Sequence, residues 1–424
     1  MRLLYSVAYT CALPLILLRL WWRGHFNPAY RRRLREQLGF YLGAPITSRP
    51  LWIHAVSVGE VIATTPLIRA LRARDTSLPI LVTTTTPTGR ETLDRLLGVS
   101  VAHAYFPVDL PWAVRRFMAH FAPRALLLVE TEIWPNVVAG CHAEGVPVFL
   151  INGRLSARSA ARYAWVSPLL KITLLKLTQA AMQTPEDATR LMNLGAPAAI
   201  TSVAGSLKFD VYIPASLHEE AAALRRELGL NRQIFMAGST RPGEEERILD
   251  VFVQLKRDFP ALLLILAPRH PERFHAVAEL CRSRDMRLCC RSDTRKCSAS
   301  TEVFVLDSMG ELLRFYAASD VAFVGGSLVP LGGHNLLEPA ALGIPIVTGP
   351  HLFNFSDISS KLLTGGALKI GRDAAEVASI VRLWLGDSNA RDSAGRCGRE
   401  IVANNRGATS RVLAMLGAHG LCPA

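Results

Sequence analysis

The chain has 424 residues, 50% of them hydrophobic and 20% charged, which is enough apolar material for two core-containing domains of ordinary size. A formal net charge of +13 calls for an anionic partner, whether nucleic acid, an acidic lipid face or a phosphorylated substrate. Eight cysteines with no CxxC pair and no zinc-type His/Cys spacing argue against a disulfide framework and a structural metal, and fit a reducing compartment.

The first stretch, Leu3 to Trp22, is apolar and about as long as a helix needs to cross a bilayer. Only Arg2 precedes it and Trp21-Trp22-Arg23 follows, which is the wrong flank for a cleaved signal and the right one for an uncleaved anchor over residues 1–23. The tryptophans suit the lipid interface. Arg19, Arg23, Arg31, Arg32, Arg33 and Arg35 lie on the distal side, which places the body in the cytoplasm and offers the anchor region to anionic lipid. Pro14 and Arg19 disfavour a full span, so a helix lying in the inner leaflet is the alternative.

Beyond the anchor, short apolar runs alternate with helical patterns. Leu51 to Val56, Ile80 to Thr83, Ala125 to Val129 and Val148 to Ile151 read as buried parallel strands, with amphipathic segments such as Val61 to Arg74 between them. The pattern pauses from Val203 to Pro214, and a helix is expected from Leu217 to Leu228. It then repeats with strands at 234–237, 262–266, 303–306, 321–324 and 344–347. The expected class is α/β, with two Rossmann-like doubly wound domains over 24–210 and 211–388 that face a central cleft. A helical tail over 389–424 is expected to pack near the hinge.

In such sheets the informative residues follow the strands. After Val56 comes Ser57-Val58-Gly59-Glu60, where Glu60 is either a general base or a first-turn carboxylate complementing a helix dipole. The loop from Thr83 to Arg90 suits a phosphate or sugar, or plain N-cap chemistry. Glu130 and Glu132 close the strand ending at Val129, but no DxD triplet occurs, so divalent-cation chemistry is not indicated. Lys208, at the domain boundary, is a cation for a bridging anion or a surface lysine.

In the second half, Pro268-Arg269 offers a planar fork to a phosphate, and Met309-Gly310-Glu311 offers backbone donors at a helix start. The glycine loop from Val324 to Gly333 leads into His334-Asn335-Leu336-Leu337-Glu338, which forms an anion-binding corner. If Asn335 opens the helix, Glu338 can accept hydrogen bonds from a ribose diol; alternatively the two form a capping box. Cys281, Cys289, Cys290 and Cys297 cluster without ligand spacing.

Taken together, Ser57 to Glu60, Thr83 to Gly89, Glu130 to Asn136, Asn152 to Ser156, Gly205 to Asp210, Pro268 to His270, Met309 to Glu311 and Gly332 to Pro339 resemble the motifs of the 3-deoxy-D-manno-octulosonic acid (Kdo) transferases, in order and over nearly the whole chain. The resemblance implies a GT-B glycosyltransferase on the cytoplasmic side of the inner membrane. It would transfer Kdo from CMP-Kdo to lipid IVA, with inversion and without a metal or cofactor, in lipopolysaccharide biosynthesis. It makes Glu60 the proton acceptor and Glu130 and Lys208 transition-state stabilisers. Pro268, Arg269, Met309, Gly310, Glu311, Asn335, Leu336, Leu337 and Glu338 become donor contacts. The alternatives within the enzymes are another GT-B transferase or a sugar-nucleotide epimerase. A nucleic-acid partner is not expected, because the arginines are scattered without an aromatic platform or a DNA-reading motif.

Overall fold

The computed structural model describes residues 1–26, 34–41, 48–293 and 297–422. Of the basic tract expected behind the anchor, Arg31, Arg32 and Arg33 fall outside the described residues. The chain divides into two compact units, one made of Met1–Asp210 with Asn405–Ala424 and the other of Val211–Asn404.

The first unit is built on a seven-stranded, wholly parallel sheet. Its strands are β1 (Leu51–His54), β2 (Ile80–Thr84), β3 (Ala102–Tyr105), β4 (Ala125–Val129), β5 (Val148–Gly153), β6 (Gln179–Met182) and β7 (Thr201–Val203), in the order β3-β2-β1-β4-β5-β6-β7. The central strands are apolar at nearly every position because helices cover both faces: all five residues of β4 are buried. Trp52, Phe106 and Phe117 fill one side of the sheet, while Ile53, Val61 and Leu67 fill the other. β1 pairs with β2 on one side and β4 on the other, so the strand order reverses between β1 and β4. That reversal opens a crevice at the strand carboxyl ends, the usual ligand position in doubly wound sheets.

The second unit repeats the plan with β8 (Ile234–Thr240), β9 (Leu263–Pro268), β10 (Leu288–Cys290), β11 (Val303–Val305), β12 (Val321–Val324), β13 (Ile346–Thr348) and β14 (Leu368–Ile370), ordered β10-β11-β9-β8-β12-β13-β14. Its switch point lies between β8 and β12. The backbone just past β12 comes so close to β8 that a Cβ at Gly325 would lie 2.4 Å from the Ser239 carbonyl oxygen. Phe235, Phe252 and Trp384 anchor the core.

The C-terminal tail begins at Ser388. It is two helices, Ser388–Asn405 and Ala408–Gly417, broken where Gly407 takes φ +98. The second belongs to the first unit, where the Asp210 carboxylate accepts the amides of Gly407 at 2.7 Å and Thr409 at 2.5 Å. The N-terminal helix runs Arg2–Phe26, and its segment Arg2–Trp22 is long and apolar enough, by length and composition, to cross a membrane.

Candidate active site

Glu60 and Glu130 emerge on the two sides of the first unit's switch point. Glu60 sits in the first turn of the helix Val58–Arg74 and is buried. One carboxylate oxygen accepts the Val56 amide at 2.7 Å and the other the Ser57 hydroxyl at 3.2 Å, so the side chain does cap its own helix. Capping does not leave it an ordinary carboxylate. Burial, with smaller contributions from Glu130 and Glu132, outweighs those hydrogen bonds and pushes it up to about 8.

Glu130 occupies a left-handed conformation, φ +58, that a non-glycine residue adopts only when its surroundings compel it. Its amide bonds the Ile151 carbonyl, and its carboxylate lies 3.0 Å from Lys208 Nζ. Lys208 rides on the short 3₁₀ turn Leu207–Phe209, whose Leu207 amide donates to Asn152 Oδ1 at 3.0 Å. Asn152 is itself left-handed, φ +52, at the end of β5, and Gln183 Nε2 donates to its carbonyl. Three residues expected to act together thus share one corner, and Asn152 is the residue that aims Lys208. Glu132 is turned aside to accept the Trp134 indole N–H at 3.0 Å. The hydroxyl-rich loop after β2 resolves into N-cap chemistry: Thr86 accepts the Gly89 amide at 3.1 Å.

In the second unit the glycine corner is organised differently from the sequence expectation. The amides of Gly326, Ser327 and Leu328 do not await an anion, because the buried Glu244 carboxylate takes them at 2.7, 2.9 and 2.9 Å, together with the Arg241 amide at 2.9 Å. Asn335 does not open the helix either, since Leu337–Leu342 starts two residues later. Asn335 Oδ1 accepts the Leu337 amide at 3.1 Å and its Nδ2 donates to Glu338 at 3.0 Å. The reciprocal backbone bond of a capping box is not made. This helix, and Leu312–Ala317 after Met309-Gly310-Glu311, are each six residues long, too short to act as dipoles.

What the second unit offers an anion is side-chain charge. Arg241, Arg269, His270 and His334 converge beyond β8, β9 and β12. Burial first, then the charges of Arg269, Arg241 and His270, push the His334 imidazole down to about 4. Arg241 Nη1 contacts His270 Nε2. Two buried nitrogens here, Arg241 Nε and His334 Nε2, have no hydrogen-bond partner. Glu338 is raised by burial, opposed by Asn335 and Arg269. Pro268 ends β9 next to Arg269. Leu336 and Leu337 are buried.

Met309 is exposed, and Gly310 has φ +90. The Glu311 carboxylate is already engaged by the Arg291 guanidinium at 3.0–3.2 Å and by the Ser308 hydroxyl, and this pairing with Arg291 holds it below the usual carboxylate range. Arg291 belongs to the Cys281–Cys297 stretch, which therefore braces a motif loop. Within it Cys281, Cys289 and Cys290 are buried thiols, Cys281 pushed up to about 12 by burial. A separate cavity of about 460 Å³ near the helix Ser356–Thr364 is lined by residues such as Leu352, Phe353 and Leu363 and by none of the expected donor contacts.

Sequence reasoning missed Glu244, Arg241, Asn152's positioning role and Arg291. Replacing Glu244 by Ala leaves buried amides without an acceptor, at roughly 1–3 kcal/mol each. Equilibrium denaturation of the variant is expected to show the second unit destabilised by at least about 3 kcal/mol. An unchanged denaturation curve removes Glu244 as the organiser of the loop.

Two Rossmann-like units of parallel strands, with the loop chemistry gathered at the strand carboxyl ends, define the fold as GT-B. At the level of fold alone the chain is similar to the UDP-GlcNAc 2-epimerase from Neisseria meningitidis bound to UDP-GlcNAc (TM-score 0.56, 13% identity, 87% of this chain and 99% of that one). The family model described as 3-Deoxy-D-manno-octulosonic-acid transferase (kdotransferase) matches residues 32–211. The 3-deoxy-D-manno-octulosonic acid transferase of Haemophilus influenzae is 39% identical over 417 residues, covering 98% of both chains. That of Bordetella pertussis is 37% identical over 429 residues, covering 97% of this chain and 98% of the relative. The chain belongs to the Kdo transferase family.

Proposed function

We propose that this transferase moves Kdo from CMP-Kdo to lipid IVA, the lipid A precursor, with inversion at the anomeric carbon. It does so on the cytoplasmic side of the inner membrane, in lipopolysaccharide biosynthesis. The observation that carries the chemistry is the Glu60 carboxylate, buried at the end of β1 and raised to about 8 beside the Glu130–Lys208 pair. The acceptor hydroxyl oxygen forms its bond to the anomeric carbon as that carbon's bond to the CMP phosphate oxygen breaks. Glu60 takes the hydroxyl proton and CMP departs with the electron pair. A base whose pKa lies near the working pH is the efficient choice.

The donor carries a phosphate and a sugar carboxylate, and the second unit's guanidinium groups of Arg241 and Arg269 match that charge, with the imidazoles of His270 and His334 beside them. Of the unpartnered nitrogens there, Arg241 Nε is a donor that a bound anion can satisfy, and His334 Nε2 is one in the tautomer that carries the proton there. In this reading Lys208 stabilises the developing charge that other transferases give to a metal. Glu338, with Asn335 bonded to it, accepts from the ribose diol. The apolar N-terminal helix and the basic balance of the chain bring the enzyme to an acidic lipid surface, where its acceptor resides.

Incubating the purified protein separately with CMP-Kdo and with UDP-sugars tests the donor. Acceptor-dependent release of CMP alone is expected, whereas consumption of a UDP-sugar sinks the reading in favour of a different GT-B transferase or an epimerase. The pH profile tests the base. Because Glu60 acts only when deprotonated and its carboxyl is raised, kcat/KM is expected to fall about tenfold per unit as pH drops below about 8. A profile flat from pH 6 to 9 assigns the proton to another group.

A further inference from the structure

By length alone the segment Arg2–Trp22 could span a bilayer: its 21 residues make a helix of about 31 Å. Its packing says otherwise. Tyr5, Ser6, Tyr9, Leu13, Ile16 and Leu20 are buried or half-buried at intervals of one, three or four residues, which is one continuous stripe along the helix. Leu3, Leu4, Val7, Leu15, Leu18 and Trp22 occupy the opposite side, each more than half exposed.

The stripe is seated on the first unit by specific polar contacts near the very start of the helix. Asn136 Nδ2 donates to Ser6 Oγ at 3.0 Å and to the Asp109 carbonyl at 2.7 Å. The Tyr5 phenol hydrogen-bonds the Asp109 carboxylate, which is itself buried and accepts the amides of Asn136 at 3.1 Å and Val137 at 2.8 Å. Tyr9 and Leu13 pack against Val108, Leu110 and Ala113. These contacts hold residues 5 to 13 against the body. Only residues 14 to 22 would remain free, and at 1.5 Å per residue they reach roughly 13 Å, less than half of a hydrocarbon core about 30 Å thick. Leaving the body would also strip a buried carboxylate of its phenol partner.

We infer that the N-terminal helix lies in the plane of the membrane, docked lengthwise on the first unit, with its outer apolar face in a single leaflet. The occupant of that face is a phospholipid surface with acidic head groups. The face ends in the tryptophan pair Trp21-Trp22, which suits the head-group boundary, and the exposed Arg2 and Arg19 near its two ends complement lipid phosphates. A side-on helix also keeps the Asp109–Asn136 network, and with it the loop from Glu130 to Trp134 that leads into the helix Pro135–Ala143, at the level of the lipid surface.

The inference rests on the membrane association proposed above, and one experiment separates the two. Full-length protein with Cys297 and Cys397 replaced by serine is spin-labelled at native Cys11. Leu4→Cys, Val7→Cys, Leu15→Cys and Leu18→Cys are labelled in turn with Cys11→Ser added. Each is reconstituted in phosphatidylethanolamine–phosphatidylglycerol vesicles and its immersion depth measured. All five labels are expected at one shallow depth, within roughly 5 Å of each other and about 5–10 Å below the head groups. A label at position 11 roughly 10 Å deeper than those at 4 and 18 means a crossing helix and overturns this inference while keeping the membrane. Labels that meet only water, or that are broadened by a second copy of the chain, overturn both.

Discussion

The variant Glu60→Gln is expected to lose transfer by about a hundred- to ten-thousand-fold in kcat while its affinity for CMP-Kdo stays within about twofold. Glutamine keeps the shape of the side chain and an oxygen to accept the Val56 amide, so the first turn of Val58–Arg74 stays capped and the fold is preserved. What it removes is the site that takes the proton. The nucleotide contacts proposed above involve other residues, in the second unit. The fall in rate below pH 8 should disappear from the residual activity of the variant, since the titrating group is gone. Near-normal turnover, measured as CMP release with saturating acceptor, would return Glu60 to helix capping alone.

Lys208→Ala is the second large effect, an expected drop of roughly a hundred- to a thousandfold in kcat without unfolding. The pair with Glu130 is about a quarter exposed on each side, 26% for the lysine and 23% for the glutamate, so its loss should cost stability only about 0–1 kcal/mol. Catalysis is expected to be more sensitive, because in the proposed reaction CMP leaves as an anion from a sugar that already bears a carboxylate. A fixed ammonium there acts on charge that develops during the step. Lys208→Arg restores charge but as a bulkier planar fork in place of a compact ammonium, and should recover only part of the rate. Asn152→Ala should mimic Lys208→Ala more weakly by freeing the Leu207–Phe209 turn, with turnover falling further than donor affinity. An unchanged rate in Lys208→Ala would leave the lysine as no more than a partner that pins the strained backbone of Glu130.

The parts of this architecture that could be read in the sequence are those where one physical rule dominates. β1, β4, β8 and β12 are buried on both faces, so they appear as unbroken apolar runs, and the loops just past them are where ligand chemistry gathers in doubly wound sheets. The strands Ala102–Tyr105, Gln179–Met182, Thr201–Val203 and Leu368–Ile370 left little trace, because short strands toward a sheet edge carry alanine, histidine, glutamine or lysine as readily as valine.

The missing side-chain assignments share a different cause. Glu244 stands first in Glu244-Glu245-Glu246, which reads as ordinary acidic first-turn chemistry; only the fold brings its carboxylate to amides more than eighty residues away. Arg291 meets Glu311 across 20 residues, and Lys208 meets Glu130 across 78, gaps that no local spacing reveals. Within the corner expected from Val324 to Glu338, the amides of Gly326 to Leu328 are closed to an anion for the same reason. Local sequence shows that amides are presented, not that a carboxylate has already taken them.

The most direct measurement of the central claim is the mass of a lipid IVA acceptor after incubation with CMP-Kdo and the purified enzyme, read together with the CMP released. The account predicts an acceptor heavier by one Kdo residue or a whole multiple of it, with one CMP released per residue added, and neither change when Glu60 is glutamine. An acceptor of unchanged mass while CMP-Kdo is consumed, or the same gain in mass with Glu60→Gln, would contradict it.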